Sequence, residues 1–132
     1  MAIPSHPLIA EYAARHGIHD GVRADGRLTL VIDDKYRVHL LGARNGWLAI
    51  SARLRALPPA GLARERFFAD IGRHAAGMLS RQPSACVVDP DEDSLWLQQM
   101  VRPDTDAVRL DEAVGQFANA LSFWTGAVRR AA

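Results

Sequence analysis

His16 and His19, three residues apart, have the spacing in this chain that comes nearest to a metal-ligand pair. A zinc site needs such nitrogens held toward one point, but Gly17 stands between them and is placed to break the helix that would align them. A helix-end histidine followed by a loop histidine is the reading the residues support. Asp89, Asp91 and Asp93 begin like a calcium loop. The sixth position is Ser94 where such a loop turns on glycine, and the twelfth is Met100 where a bidentate glutamate belongs. A charged turn between strands fits those residues better. Asp33-Asp34 offers paired carboxylates for acid–base work. Neighbours on a hairpin turn point apart, however, and aspartate serves such turns by bonding their own backbone. Cys86 with His39 or His74 would make a thiol–imidazole nucleophile, and nothing in the spacing brings them together. Cys86 lies in the apolar run ACVV, which suits a buried structural thiol, and as the single cysteine it excludes an intramolecular disulfide. With no GxSxG and no glycine-rich phosphate loop, the sequence predicts no enzyme, no metal and no cofactor.

Bulk composition narrows the field further. A chain of 132 residues with 48% hydrophobic and 23% charged residues predicts one globular domain over 1–132. Its basic residues are 15 arginines and one lysine, matched by 15 acidic groups for a net charge of +1. The arginine and alanine bias is that of a GC-rich bacterial coding sequence. Trp47, Arg53 and Arg55 fall on one side of an expected strand, a faint stacking-plus-charge pattern, but balanced charge argues against a nucleic-acid partner. The N-terminal stretch lacks a basic leader and apolar core, and no run approaches the roughly 18 apolar residues of a membrane span. A cytoplasmic protein without a membrane partner is expected.

The elements that must position these residues are legible as periodicity. Residues 27–55 hold three apolar/polar alternations, broken at Asp33-Asp34-Lys35 and at Arg44-Asn45-Gly46. Alternation marks a strand with one buried face, and Asn-Gly suits a type I′ turn because both central residues need positive φ. Strands are expected at 27–32, 36–43 and 47–55. Leu28, Leu30, Ile32, Tyr36, Val38, Leu40, Leu48, Ile50, Ala52 and Leu54 fall on one set of faces. A first helix is expected over 5–16, with Ser5 as cap, Pro7 in its first turn and Gly17 at its end. Pro58-Pro59 stops the third strand, and a second helix runs from there to about 81. Leu62, Phe67, Phe68, Ile71, Ala75, Met78 and Leu79 make its apolar stripe wider than one packing contact needs, which predicts a face shared with a partner subunit. A strand pair follows at 84–89 and 94–101. The last helix spans about 107–130, with Leu110, Val114, Phe117, Leu121, Trp124 and Val128 in one stripe. Asp111 and Glu112 are expected in its first turn and Arg129 and Arg130 in its last, complementing the helix dipole. The order α-β-β-β-α-β-β-α predicts the α+β class, an α/β two-layer arrangement.

Val31, Leu41, Trp47, Trp96 and Met100 fall on the opposite, mixed faces, with Tyr12 on the first helix. One reading packs them under a helix. The other makes them a groove for an extended peptide that adds a strand to a sheet edge, where methionine adapts and tryptophan supplies area.

The runs LTLVIDD and KYRVHLL, the Asn-Gly turn, GWLAISARL, RALP and the closing FANALSFWTGAV helix resemble the type III secretion chaperones of the Tir chaperone (CesT-like) family along essentially the whole chain. L-x-L-x-I-D-D at 28–34 and L-x-L-Q at 95–98 are the sharpest parts. The resemblance implies a small cytosolic homodimer with a twisted antiparallel sheet and three helices, using no ATP or cofactor. Its implied work, in bacterial virulence, is to hold the amino-terminal segment of a secreted effector extended and secretion-competent. By element, it implies Phe67, Phe68, Ile71, Gly72, Ala75 and Met78 at the dimer interface. It likewise implies Ile9, Tyr12, Val31, Leu41, Trp47, Trp96 and Met100 against the effector. Such chaperones are usually acidic, whereas this chain has pI ≈ 8.0, and an acidic effector segment would account for that. The alternative is a regulatory or scaffolding protein-binding module of similar fold that captures a folded partner.

Overall fold

Two hairpin turns fix the register of the first half of the molecule. At Asp33 and Asp34 φ is 54° and 57°, at Asn45 and Gly46 it is 59° and 80°, and the flanking residues close each turn through Lys35 N–H to Ile32 O and Trp47 N–H to Arg44 O, both 3.2 Å. Positive φ at both central residues is the type I′ requirement, whose twist matches that of the strands it joins. The computed structural model describes residues 6–18, 25–78 and 83–131. Helix α1 (Pro7–Arg15) precedes strands β1 (Leu28–Ile32), β2 (Tyr36–Gly42) and β3 (Leu48–Ala56). Helix α2 (Leu62–Met78), strands β4 (Ala85–Asp89) and β5 (Ser94–Val101) and helix α3 (Ala107–Arg130) follow. The strands form one antiparallel sheet in the order β1-β2-β3-β5-β4. This is the expected α+β order.

The registers Leu30↔Val38, Leu40↔Ile50 and Ala52↔Leu97 set apolar residues side by side on one face. That face is the covered one. Leu28, Val38, Leu40, Leu48, Ile50 and Leu97 have no exposed surface, and α3 lays Leu110, Val114, Phe117, Leu121, Trp124 and Val128 over β3 and β5. Leu8, Ile9 and Ala13 of α1 join the same core. Helix α2 packs against α3, with Phe67 and Ile71 buried.

Three local expectations are corrected. Ser5 lies outside the described residues, and α1 is capped by His6: Nδ1 accepts from Leu8 N–H at 3.1 Å while Nε2 meets the Gly46 carbonyl at 2.7 Å. Helix α3 starts at Ala107, so Asp111 and Glu112 fall beyond its first turn. Its cap is Asp106, which accepts from Arg109 N–H at 2.8 Å. Finally, β3 carries a bulge, its register with β5 shifting between Arg53 and Arg55. One extra residue reverses the side from which a side chain leaves the sheet. Arg55 therefore sits 4.9 Å from the Phe67 ring centroid and donates to the Val128 carbonyl at 3.3 Å, not beside Arg53 on the outward face. The end of the second helix near 81 and the link at 19–24 lie outside the described residues.

Candidate functional site

The polar groups that invited chemistry serve the fold. Asp33 and Asp34 are the central residues of a turn. Asp89 Oδ1 accepts from the backbone of Asp91 and Glu92, and Asp93 pairs with Arg64 at 2.8 Å, tying the β4–β5 turn to the start of α2. His16 Nε2 lies 3.2 Å from Asp111, which also takes Arg15 at 2.8 Å, so the pair joins α1 to α3. His19 lies outside the described residues. His39 bonds Thr29 Oγ1 at 2.9 Å on the outward face, Cys86 sits opposite Leu97 of the inner one, and His74 packs edge-on to Phe123 and Trp124. Burial pushes the Cys86 thiol up to about 12, which keeps it protonated and a poor nucleophile. No group of three or more His, Cys, Asp or Glu could hold a metal among the described residues.

What the structure leaves open is the outward face of the sheet and its β1 edge. Because β1 ends the strand order, its outer backbone edge has no strand beside it among the described residues. Between that edge and the C-terminal end of α1 runs a groove of about 350 Å³ lined by Tyr12, His16, Ile18 and residues 29–32 of β1. Tyr12 stacks on His16 with ring centroids 4.2 Å apart. Its hydroxyl is held protonated to higher pH than usual, first by burial and then by the neighbouring Asp111 carboxylate. Val31 is 63% exposed at the rim.

Across the sheet, the registers place Leu41, Ala49 and Met100 in one outward row and Arg53, Trp96 and Val87 in another. Met100 is exposed, while Leu41, Trp47 and Trp96 are half-buried. Trp96 stands 5.9 Å from the His39 ring and donates its indole N–H to Ser94 Oγ at 2.8 Å. Tyr12 and Val31 thus share the edge groove, and Leu41 and Met100 share a row. Ile9 is enclosed within the core with no exposed surface. On α2, Phe67 and Ile71 are buried, Phe68 and Gly72 are exposed, Ala75 is half-buried and Met78 is the last residue of the helix.

The model of the Tir chaperone protein (CesT) family matches residues 7–125, from the start of α1 into the last turns of α3. The chain belongs to that family. Among curated proteins none matches it by sequence. Solved structures of similar fold include the HopA1–SchA chaperone–effector complex, with a TM-score of 0.65 at 11% identity, covering 90% of this chain and 91% of that one. They include the Yersinia pestis type III secretion chaperone SycH in complex with a stable fragment of YscM2, with a TM-score of 0.62 at 20% identity over 90% and 98% of the two chains. The heterodimeric ExoU–SpcU complex from the type III secretion system of Pseudomonas aeruginosa gives 0.64 at 17% identity over 90% and 96%. At such identities the likeness is one of fold, and it covers the CesT-family chain nearly end to end. Sequence reasoning missed the bridge from Arg15 and His16 to Asp111, although all three had been singled out or lay beside residues that were. Their partnership joins positions almost a hundred residues apart, and no local pattern signals it.

Proposed function

We infer that this CesT-family protein is a dedicated cytoplasmic chaperone of a type III secretion system. It binds the amino-terminal segment of an effector in extended form and keeps it competent for export, working as a homodimer through α2. One observation carries the reading. A strand edge left unpaired by the described residues and an apolar-lined groove at Tyr12 and Val31 adjoin a sheet face with no helix of the described elements packed on it. An extended chain placed there pairs its backbone with β1 and seats alternate side chains in the groove. A protein of similar fold, found in the HopA1–SchA chaperone–effector complex, supports the same use.

The energetics favour such binding without chemistry. Burying about 1,000 Å² of apolar surface is worth about 25 kcal/mol gross. Association and the ordering of a disordered segment remove much of that, and what remains suffices for a stable yet unfolded client. Leu62 and Phe68, left exposed at 59% and 38% on α2, support the second subunit.

Co-expression with the amino-terminal segment of an effector, followed by co-purification, tests the function. Wild-type protein is expected to retain the nonfolded segment. Val31→Asp, which puts a charge on the β1 edge, and Trp47→Ala should each weaken retention at least about fivefold. Val31→Asp should change unfolding free energy by about 0.5 kcal/mol or less, as for other exposed positions. Capture of folded proteins only, or retention unchanged in both variants, would remove this reading.

A further inference from the structure

Strands β2 and β3 part company below His39 and Ser51. Their register ends at that pair, although β2 stays with β1 down to Tyr36 and β3 stays with β5 down to Ala56. The bulge between Arg53 and Arg55 adds local twist to β3, which carries it away from β2. A cleft of about 780 Å³ lies where they separate, with Leu121, Thr125 and Gly126 of α3 among its lining. Its charge is one-sided. Lys35, Arg37, Arg53 and Arg129 line it against a single carboxylate, Glu92. Arg37, Arg53 and Arg129 form no ion pair among the described residues. In a chain of net charge +1, this is a local excess that its own acids do not cancel.

We propose that this cleft binds a short, extended, acidic peptide segment lying between the parted strands. The proposal deepens the chaperone reading and rests on it, since the client supplies the segment. Charge complementarity selects carboxylates. The parted strands select a peptide over other anions: in an antiparallel ladder the backbone groups of a strand alternate between its two neighbours, so those of β2 turned from β1 and of β3 turned from β5 face the gap. A peptide backbone can bond them, whereas a nucleic acid or a free phosphate cannot continue a ladder. The two sides of an inserted strand meet different surroundings. Arg37 and Arg53 belong to the outward face, while Leu121 stands on the α3 side. The ligand is therefore a run of a few residues in which acidic side chains alternate with apolar ones.

The test uses the full chain and a fluorescein-labelled peptide of about ten residues alternating Glu and Val, followed by anisotropy beside the same peptide with Gln for Glu. The Glu peptide should bind at least about tenfold more tightly, and its advantage should shrink as salt rises from about 50 to 500 mM, because exposed charges are screened. The double variant Arg37→Gln, Arg53→Gln keeps polar side chains of comparable reach and should abolish the preference. Both residues are exposed, so its melting temperature should stay near that of wild type. Equal affinity for the two peptides, or a preference insensitive to salt, overturns the proposal on the wild-type protein alone. A single-stranded oligonucleotide of equal charge competing as well as the Glu peptide also overturns it. If an effector segment co-purifies while the peptides are not distinguished, the cleft assignment fails and the chaperone reading stands. If the Glu preference holds while no effector segment is captured, the cleft stands as an acidic-peptide site and the chaperone reading fails.

Discussion

Cys86 shows how burial decides what a reactive side chain does. Its thiol is pushed up to about 12 from an ordinary value of 9.0, by desolvation. The folded chain then keeps a proton that the unfolded chain releases above 9.0, so across the window between those values the native state binds more protons than the denatured state. Stability falls as pH rises wherever that is true. Thermal unfolding of wild type and Cys86→Ala should therefore diverge in slope above about pH 9, the wild type losing melting temperature faster. Identical alkaline slopes would mean the thiol is more solvated than its place opposite Leu97 indicates. Near neutral pH the same residue should resist alkylation in the native protein and react once it is unfolded.

At the scale of the element, α1 hangs on one histidine. The His6 ring accepts from Leu8 N–H with Nδ1 and donates through Nε2 to the Gly46 carbonyl. A single side chain thus caps the helix and ties it to the β2–β3 turn. His6→Ala removes both bonds and should cost about 1–2 kcal/mol by denaturant unfolding, with faster amide exchange confined to α1. His6→Asn keeps an oxygen for the cap but loses the reach to Gly46, and should recover part of the loss. Full recovery would show that the tie contributes nothing. How far the elements were legible in the sequence follows the same division between local and distant. The Asp33-Asp34 and Asn45-Gly46 turns, Pro7 at the head of α1 and the six-residue stripe of α3 are short-range signals, and the structure carries each of them. The His6 cap, the Arg15–Asp111 bridge and the inward turn of Arg55 depend on residues far along the chain, which periodicity does not register. The edge groove was half legible: the outward position of Val31 followed from strand alternation, but its meeting with Tyr12 required the packing of α1 against the sheet. The cleft between β2 and β3 was not legible at all, because alternation continues unbroken through the residues where the two strands separate.

For the whole molecule, the proposed homodimer asks which face of α2 belongs to the chain's own core and which would meet a second copy. Phe67 and Ile71 are spent on the chain's own core, whereas the neighbouring Phe68 ring lies 5.9 Å from that of Phe67 and remains 38% exposed. Exposed Leu62 shares the helix with it, and Gly72, with nothing within 4 Å of an added Cβ, leaves room for a close backbone. Two substitutions that sequence alone treats as equivalent should then separate. Ile71→Asp places a carboxylate where only 6% of the residue reaches solvent, and an unpaired charge there should unfold the chain. Phe68→Asp leaves the core intact, because that ring already meets water, but buries a charge once a partner covers it. Sedimentation should find Phe68→Asp folded at half the wild-type mass, with its circular dichroism preserved, and Ile71→Asp without a cooperative thermal transition. A Phe68→Asp protein of unchanged mass would exclude this flank of α2 from any subunit contact. Half mass together with lost helicity would show instead that α2 folds only against its partner.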